Sequence, residues 1–283
     1  MTRVIDVLKQ HGLSSGAANK ALKTGKVWVN GVPSSDGGRE VRPDQVEHRE
    51  RAPRMQPGQD PAVLYKDEHL AVVYKPSGLL SVAAPKRGRD TNLVSELAKI
   101  LGRAMPVHRL DEGTSGVMVV ARSEIAQKAL KAEWEKQKVE RQYLAMVQGF
   151  LAQTEARVET HIARHPHTGR WASRPEHEGG RRAVTFIQGL ATLPRRTGLV
   201  RARLETGRTH QVRIHLAEAG NPVLGDALYG NRSTFPRLAL HAAVLGFEHP
   251  LSGRKLAFDT GLPDDMEKYR RFLLSKDRIR KPQ

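Results

Sequence analysis

The chain has 283 residues, with 47 Lys and Arg against 30 Asp and Glu, for a formal charge of +17. That length holds one large domain or a large one plus a small one, and a field of that sign favours a polyanion, nucleic acid first and an anionic membrane as the alternative. The absence of Cys excludes disulfides and thiolate metal sites and fits a reducing compartment. The start, MTRVIDVLKQHG, has no long apolar stretch of the secretory kind, and no run approaches the roughly 20 apolar residues of a membrane span, so a soluble cytoplasmic protein is expected.

Residues 1–48 read as a small unit. VIDVLKQHG puts Val4, Ile5 and Leu8 at helical spacing with Gly12 as its stop, and SSGAANKALKTG repeats the pattern with Ser15 as cap and Gly25 as stop. KVWVNGVP alternates like a strand and breaks at Asn30-Gly31, a hairpin signal. Lys20, Lys23 and Lys26 fall on or near the second helix, as an RNA-contacting face or as a solvated basic one. Residues 49–62 are charged and Pro-rich without an apolar period, the composition of a linker.

The main domain, expected over 63–275, opens with AVLYKDEHLAVVYKPSG. Apolar runs at 70–74 and 117–121 read as strands. NLVSELAKILG reads as a helix with Leu93, Leu97, Ile100 and Leu101 on one side, and EIAQKALKAEWEKQK as a second with a stripe of Ala126, Leu130 and Trp134. LVRARLE alternates Val200, Ala202 and Leu204 against Arg201 and Arg203, the pattern of a half-buried strand with a basic outer face. The pattern is α+β. Residues 276–283 form a basic tail that is either solvated or an RNA clamp.

Three stretches carry candidate chemistry: HRLDEGTSG at 108–116, RQYLAMVQG at 141–149, and LETGRTHQVRIHLAEAGNPVLGDALYG at 204–230. On its own, Asp111 is as well read as a turn residue, because its carboxylate bonds nearby N–H groups. Likewise Tyr143 is as well read as a core aromatic. Thr209 is placed to cap a helix bearing Val212 and Leu216 and closed by Gly220 and Pro222, with Arg208 just before its start. HIARHPH offers His161, His165 and His167. An i, i+4 His pair on a helix is a zinc pattern, but Pro166 interrupts it and no acid completes the shell, so no metal is expected.

HRLDEGTSG is similar to the HRLDxxTSG motif of the RluA-type pseudouridine synthases. RQYLAMVQG resembles their Tyr-bearing strand. ETGRTHQVRIHL, GNPVLGD and the later RLALHA resemble their third motif region, with Asn221 where His is common. KPSGLL at 75–80 resembles their early Lys-Pro turn. The resemblance covers about residues 63–263 in the family's order, and several multi-residue motifs in one order make chance agreement improbable. SSGAANKALKTGKVWVNG resembles the S-four RNA-binding domain, with Gly16 where that family usually has Arg.

The resemblance implies a mainly antiparallel mixed sheet with flanking helices. It implies an isomerase that breaks the C1′–N1 bond of a uridine and rejoins the base through C5, with no cofactor. By the same resemblance Asp111 is the nucleophile, attacking C1′ or C6, and Arg208 is its cationic partner. Arg109 fills the space of the flipped base, Tyr143 stacks on the uracil and aids loss of the C5 hydrogen, and His210 and Arg213 contact RNA. Structured ribosomal RNA of the large subunit is the expected target, with transfer RNA as the alternative and a monomer as the default. The rival classes are a non-catalytic RNA-binding or ribosome-assembly protein and a carboxylate glycosidase, which would want a second acid near Asp111.

Overall fold

The computed structural model describes residues 1–24, 26–30, 32–48, 61–83, 91–153 and 155–278. The small N-terminal unit runs β1 (Thr2–Arg3), α1 (Val4–Gln10), α2 (Ser15–Lys23), β2 (Val27–Val29), β3 (Val32–Pro33), β4 (Glu40–Val41) and β5 (Val46–His48). Val4 and Leu8 of α1, as the spacing predicts, pack with Val7 on Ala18, Ala21 and Leu22 of α2 and on Val27 and Val29 of β2, while the expected Ile5 is only half-buried at the edge of this cluster. The α2 cap is Ser14, one residue earlier than expected, accepting from the Ala17 N–H at 3.2 Å. Gly25, the expected stop of α2, lies outside the described residues. Val29 pairs with Val32 and Asn30 has φ 51°, the sign a two-residue hairpin requires, while Gly31, the other half of the expected turn, lies outside the described residues.

Of the predicted linker, residues 49–60 lie outside the described residues. The N-terminal unit is tied to the C-terminal helix α6 (Asp264–Arg278) by polar contacts. Ser34 Oγ donates to Asp264 at 2.8 Å, Arg39 pairs with Asp264 at 3.0 Å, and Arg271 pairs with Asp36. The predicted basic tail at 276–283 begins inside this helix, and residues 279–283 lie outside the described residues.

The main domain adds β6 (Ala62–Lys66), β7 (Leu70–Lys75), α3 (Leu93–Leu101), β8 (Met105–Pro106), β9 (Ser115–Ala121), α4 (Glu124–Glu135) and β10 (Glu140–Gln148). It continues with β11 (Ala156–Arg164), β12 (Trp171–Ser173), β13 (Arg181–Leu193), β14 (Thr197–Leu204), α5 (Gln211–Glu218), β15 (Leu240–Glu248) and β16 (Lys255–Asp259). One mixed sheet holds the strands in the order β12-β11-β13-β14-β10-β15-β9-β7-β6, with β16 beside β15 and β8 beside β9. Its pairs are antiparallel except one: β15 meets β9 in parallel over His241–Ser115 and Ala242–Gly116. This is the α+β architecture expected.

Two features of that join follow from named residues. Gly116 has φ +132°, and a Cβ there would overlap the backbone of Ala242, so only glycine lets the strands approach. His241, fully buried, hydrogen-bonds Ser115 Oγ at 2.8 Å and Thr260 Oγ1 at 2.9 Å, and burial holds its ring neutral, down to about 3.

Beyond Ile5 of α1 and the cap of α2, the helices differ from the sequence expectation at one position in α3 and at the start of α5. Leu93, Leu97 and Leu101 are buried, but Ile100 is 62% exposed because the buried arc of this nine-residue helix is narrower than the apolar pattern. Helix α5 begins at Gln211, and its cap position is His210 rather than Thr209.

Candidate active site

A cavity opens over the sheet where the β9 and β10–β14 parts meet. Its wall includes Arg109, Asp111, Tyr143, Arg208, His210 and Arg213 over an apolar floor of Leu110, Leu204, Val212 and Leu240. Asp111 lies in the loop before β9, four residues ahead of Ser115. Its backbone carbonyl accepts from the Thr114 N–H at 3.0 Å, closing the turn that presents the carboxylate. Lys75 braces this loop from beneath. It is fully buried, and its Nζ donates to the carbonyls of Pro76, Leu79 and Glu112 at 3.0, 2.6 and 3.1 Å. Burial pulls the Lys75 ammonium down to about 7, against the pull of Asp111 and Glu112. Three carbonyl acceptors call for the three N–H of the charged form.

The cation that meets Asp111 is Arg213, not Arg208. Arg213 Nη1 lies 3.1 Å from Asp111 Oδ2, and the other edge of its guanidinium grips Asp226 through Nε at 2.7 Å and Nη2 at 2.8 Å. Arg208 lines the same cavity, but its Nε donates to the Arg182 carbonyl at 2.9 Å and its N–H to Gln211 Oε1 at 2.9 Å. The reason lies in the helix start. With α5 beginning at Gln211, Arg213 sits in its first turn, while Arg208 precedes the left-handed residue His210 and points along β13.

The Asp226 side chain has no exposed surface. Burial alone would raise its carboxyl. The Arg213 guanidinium, with the N–H groups of Leu228 and Tyr229, overrides that and holds it below the usual carboxylate range. Burial likewise opposes the charge on Arg213, and Asp226 and then Asp111 outweigh it and raise the guanidinium. Asp226 is thus a second acid near Asp111, but it is sealed behind Arg213 and does not line this cavity. That disfavours the glycosidase reading, which needs two acids facing the substrate.

Tyr143 lies on β10 with its hydroxyl pushed up to about 12 by burial, with Arg141 opposing and Asp111 reinforcing the shift. Arg109 is exposed and makes no hydrogen bond or ion pair among the described residues. His210 lies 3.8 Å from Asp111 and 2.9 Å from the Tyr229 hydroxyl. Lys20 and Lys23 are exposed on α2, and Lys26 is half-buried beyond it. The histidines of HIARHPH lie on or just after strand β11 rather than on a helix, and His165 Nδ1 accepts from the N–H groups of His167 and Thr168 at 3.3 Å, which makes it a turn former.

Several residues of the site had no role assigned from sequence. Asp226 and Tyr229 stand within the quoted GNPVLGDALYG stretch, but only the fold brings them behind Arg213 and His210. Arg141 of RQY is 8% exposed and lines the cavity, donating to the Glu205 carbonyl at 2.9 Å. His108 accepts the Val119 N–H at 3.1 Å and stacks on Trp134 with centroids 4.6 Å apart, which fixes the start of the Asp111 loop.

Residues 69–218 match the family model described as RNA pseudouridylate synthase. The chain is 37% identical over 237 residues to the ribosomal large subunit pseudouridine synthase D of Zymomonas mobilis, covering 76% of this chain and 74% of that one. It is 36% identical over 214 residues to the dual-specificity RNA pseudouridine synthase RluA of Haemophilus influenzae, covering 73% and 94%. Human RNA pseudouridylate synthase domain containing 1 superposes with a TM-score of 0.61 at 25% identity, covering 73% of this chain and 86% of that one. Motifs, sheet and relatives agree, and the chain belongs to the RluA-type RNA pseudouridine synthases, isomerases that act on RNA.

Proposed function

We propose that this protein isomerises a uridine in structured ribosomal RNA of the large subunit, with Asp111 as the nucleophile. The observation that carries this reading is the Asp111–Arg213–Asp226 chain at the cavity. A carboxylate attacks only when ionised, and a guanidinium 3.1 Å away favours that form while its own position is set by Asp226. The target follows from the relatives named for the large subunit and from the charge of +17.

A base stacked in RNA must leave its fold to reach a cavity, which costs a few kcal/mol and less in loops. Arg109, exposed beside the nucleophile and without a hydrogen bond or ion pair among the described residues, is suited to fill the vacated stack. Tyr143 supplies a ring face for the uracil, a contact worth roughly 1–3 kcal/mol per base. Residues 1–48, with Lys20, Lys23 and Lys26 on or near α2, serve as an RNA-binding unit, and the protein works as a monomer in the cytoplasm. The attack is at C1′ or at C6.

The test is release of tritium from uracil C5. Purified protein is mixed with C5-tritiated RNA, as ribosomal particles, naked ribosomal RNA or transfer RNA, with Asp111→Ala alongside. Release into water by the wild type alone, from ribosomal RNA, is expected. Equal release by Asp111→Ala would remove the nucleophile from this reading. Release from transfer RNA alone would move the target.

A further inference from the structure

His210 is held in a way that helix α5 does not require. It has φ 59° and ψ 15°, a left-handed conformation rare for a residue with a Cβ, and its side chain does not cap the helix. Its Nδ1 instead lies 2.9 Å from the Tyr229 hydroxyl, and that hydroxyl donates to the Trp171 carbonyl at 2.8 Å. The hydroxyl has a single proton, already committed, so Nδ1 supplies the hydrogen between them. In the neutral ring Nε2 is then a bare lone pair. It sits on the cavity wall, 3.8 Å from Asp111 Oδ2.

The isomerisation needs a base there. Once C5 is joined to the ribose it still carries its original hydrogen, which has to leave. In the C1′ route C5 takes the carbon that Asp111 releases, and in the C6 route C5 is the ring neighbour of the carbon that Asp111 held, so this hydrogen lies near Oδ2. The other titratable groups on the wall are poorly suited. Tyr143 is pushed up to about 12 by burial, which leaves almost no phenolate at neutral pH. His108 already uses its Nε2 lone pair on the Val119 N–H. Asp111 has been released by the time C5 carries both the ribose and its hydrogen beside an N1–C6 double bond, and it is then held in its ion pair with Arg213 at 3.1 Å.

We propose that His210 Nε2 takes the C5 hydrogen, and that Tyr229 fixes the tautomer that leaves Nε2 free to do so. This rests on the Asp111 reading above and deepens it. In the ring with a double bond between N1 and C6, the C5–H bond breaks and its proton goes to Nε2. The electron pair forms the C5–C6 double bond, the N1–C6 π pair returns to N1, and N1 takes a proton from water. His210 then loses its proton to solvent, where a C5 label would appear. The charged and titratable groups around His210 are Asp111, Arg213, Asp226 and Arg109, with Tyr229 beneath it and Arg170 over the Tyr229 ring. Burial leads in pressing His210 below its usual value, Asp111 and Asp226 oppose, and Arg213 and Arg109 assist.

The test uses full-length protein under single turnover, with RNA carrying hydrogen or deuterium at C5 of the uridines. His210→Asn keeps a donor toward Tyr229, tolerates the left-handed backbone and lacks Nε2. We expect a single-turnover rate at saturating RNA about 10²–10⁴-fold lower, and a primary isotope effect larger than in wild type. The wild-type rate should rise with pH through a step below the usual histidine value, and that step should vanish in the variant. His210→Gly, which also accepts φ 59°, should regain rate with added imidazole. A His210→Asn rate equal to wild type, or a loss with neither isotope effect nor pH step altered and no imidazole rescue of His210→Gly, overturns the proposal. A wild type that forms no pseudouridine in any RNA overturns the Asp111 reading itself, which separates the two failures.

Discussion

Asp226→Asn removes one charge and almost no volume. In the native protein Asp226 accepts two hydrogen bonds from Arg213, at 2.7 and 2.8 Å, and its Oδ1 also receives the Leu228 and Tyr229 N–H groups at 2.9 and 3.1 Å. Breaking a buried ion pair by losing one partner costs about 3–5 kcal/mol. Arg213 keeps Asp111, and the amide oxygen still accepts, so the lower end applies: about 3 kcal/mol, or a melting temperature lower by roughly 6–12 °C. The folded Asp226 carboxyl lies below its unfolded value. The stabilisation is therefore complete above the unfolded pKa of about 3.9 and is lost as pH falls through the folded one, so wild type and variant should converge in strong acid. Turnover should fall as well, because a guanidinium without its clamp shifts the nucleophile, and misplacement by about 1 Å can cost 10²-fold. Thermal unfolding from pH 7 to pH 3 and single-turnover rates at pH 7 measure both. A loss under about 1 kcal/mol with unchanged turnover would refute the reasoning, since Arg213 would then be held without Asp226.

Gly116→Ala should leave little folded protein at 37 °C, because the new methyl overlaps Ala242 backbone at a positive φ; a soluble variant with wild-type melting would contradict this. Arg109→Ala should keep its fold and melting temperature, since the side chain is exposed and makes no hydrogen bond or ion pair among the described residues, while single-turnover rate drops at least tenfold; a rate equal to wild type would remove Arg109 from base flipping. RNA affinity should fall steeply between 50 and 200 mM salt, by about 10³-fold or more if six or more phosphates are contacted, and a flat profile would remove the phosphate contacts. Deleting residues 1–48 should weaken binding and leave turnover at saturating RNA; loss of that turnover would instead make the contacts of Asp264 and Arg271 with this unit part of the catalytic fold.

Much of the fold could be read from the chain because its signals are local. The helix spacing of Val4 and Leu8, the turn at Asn30 and the alternation of Val200, Ala202 and Leu204 against arginines each depend on a few neighbours. Asp111 and Tyr143 stand out for a different reason: each lies in a long motif. The ion-pair partner was misplaced because Arg208 and Arg213 stand five residues apart, and only the true start of α5 tells which one turns inward. Thr209 has the better capping side chain, yet Gln211 stabilises the bend by bonding the Arg208 N–H and Thr206. Nothing near Asp226 in sequence announces that it will lie behind Arg213, since that pairing is a property of tertiary packing. Gly116 reads as a turn glycine, and its steric role appears only when Ala242 arrives from 126 positions later.

The parallel join of β9 to β15 also divides the protein into two halves that meet along a seam. Asp111 belongs to the half containing β7 and β9, whereas Tyr143, His210 and Arg213 belong to the half containing β10 to β14 and α5. Neither half alone holds a working constellation, so chemical competence reports that the seam has closed. A chain severed between α4 and β10 would yield two fragments, each inert, whose mixing should restore catalysis only as fast as His241 and Ala242 find Ser115 and Gly116. Under the proposed mechanism the enzyme is its own folding sensor: a nascent or partly opened molecule would not attack RNA, because Asp111 and Arg213 have not yet met.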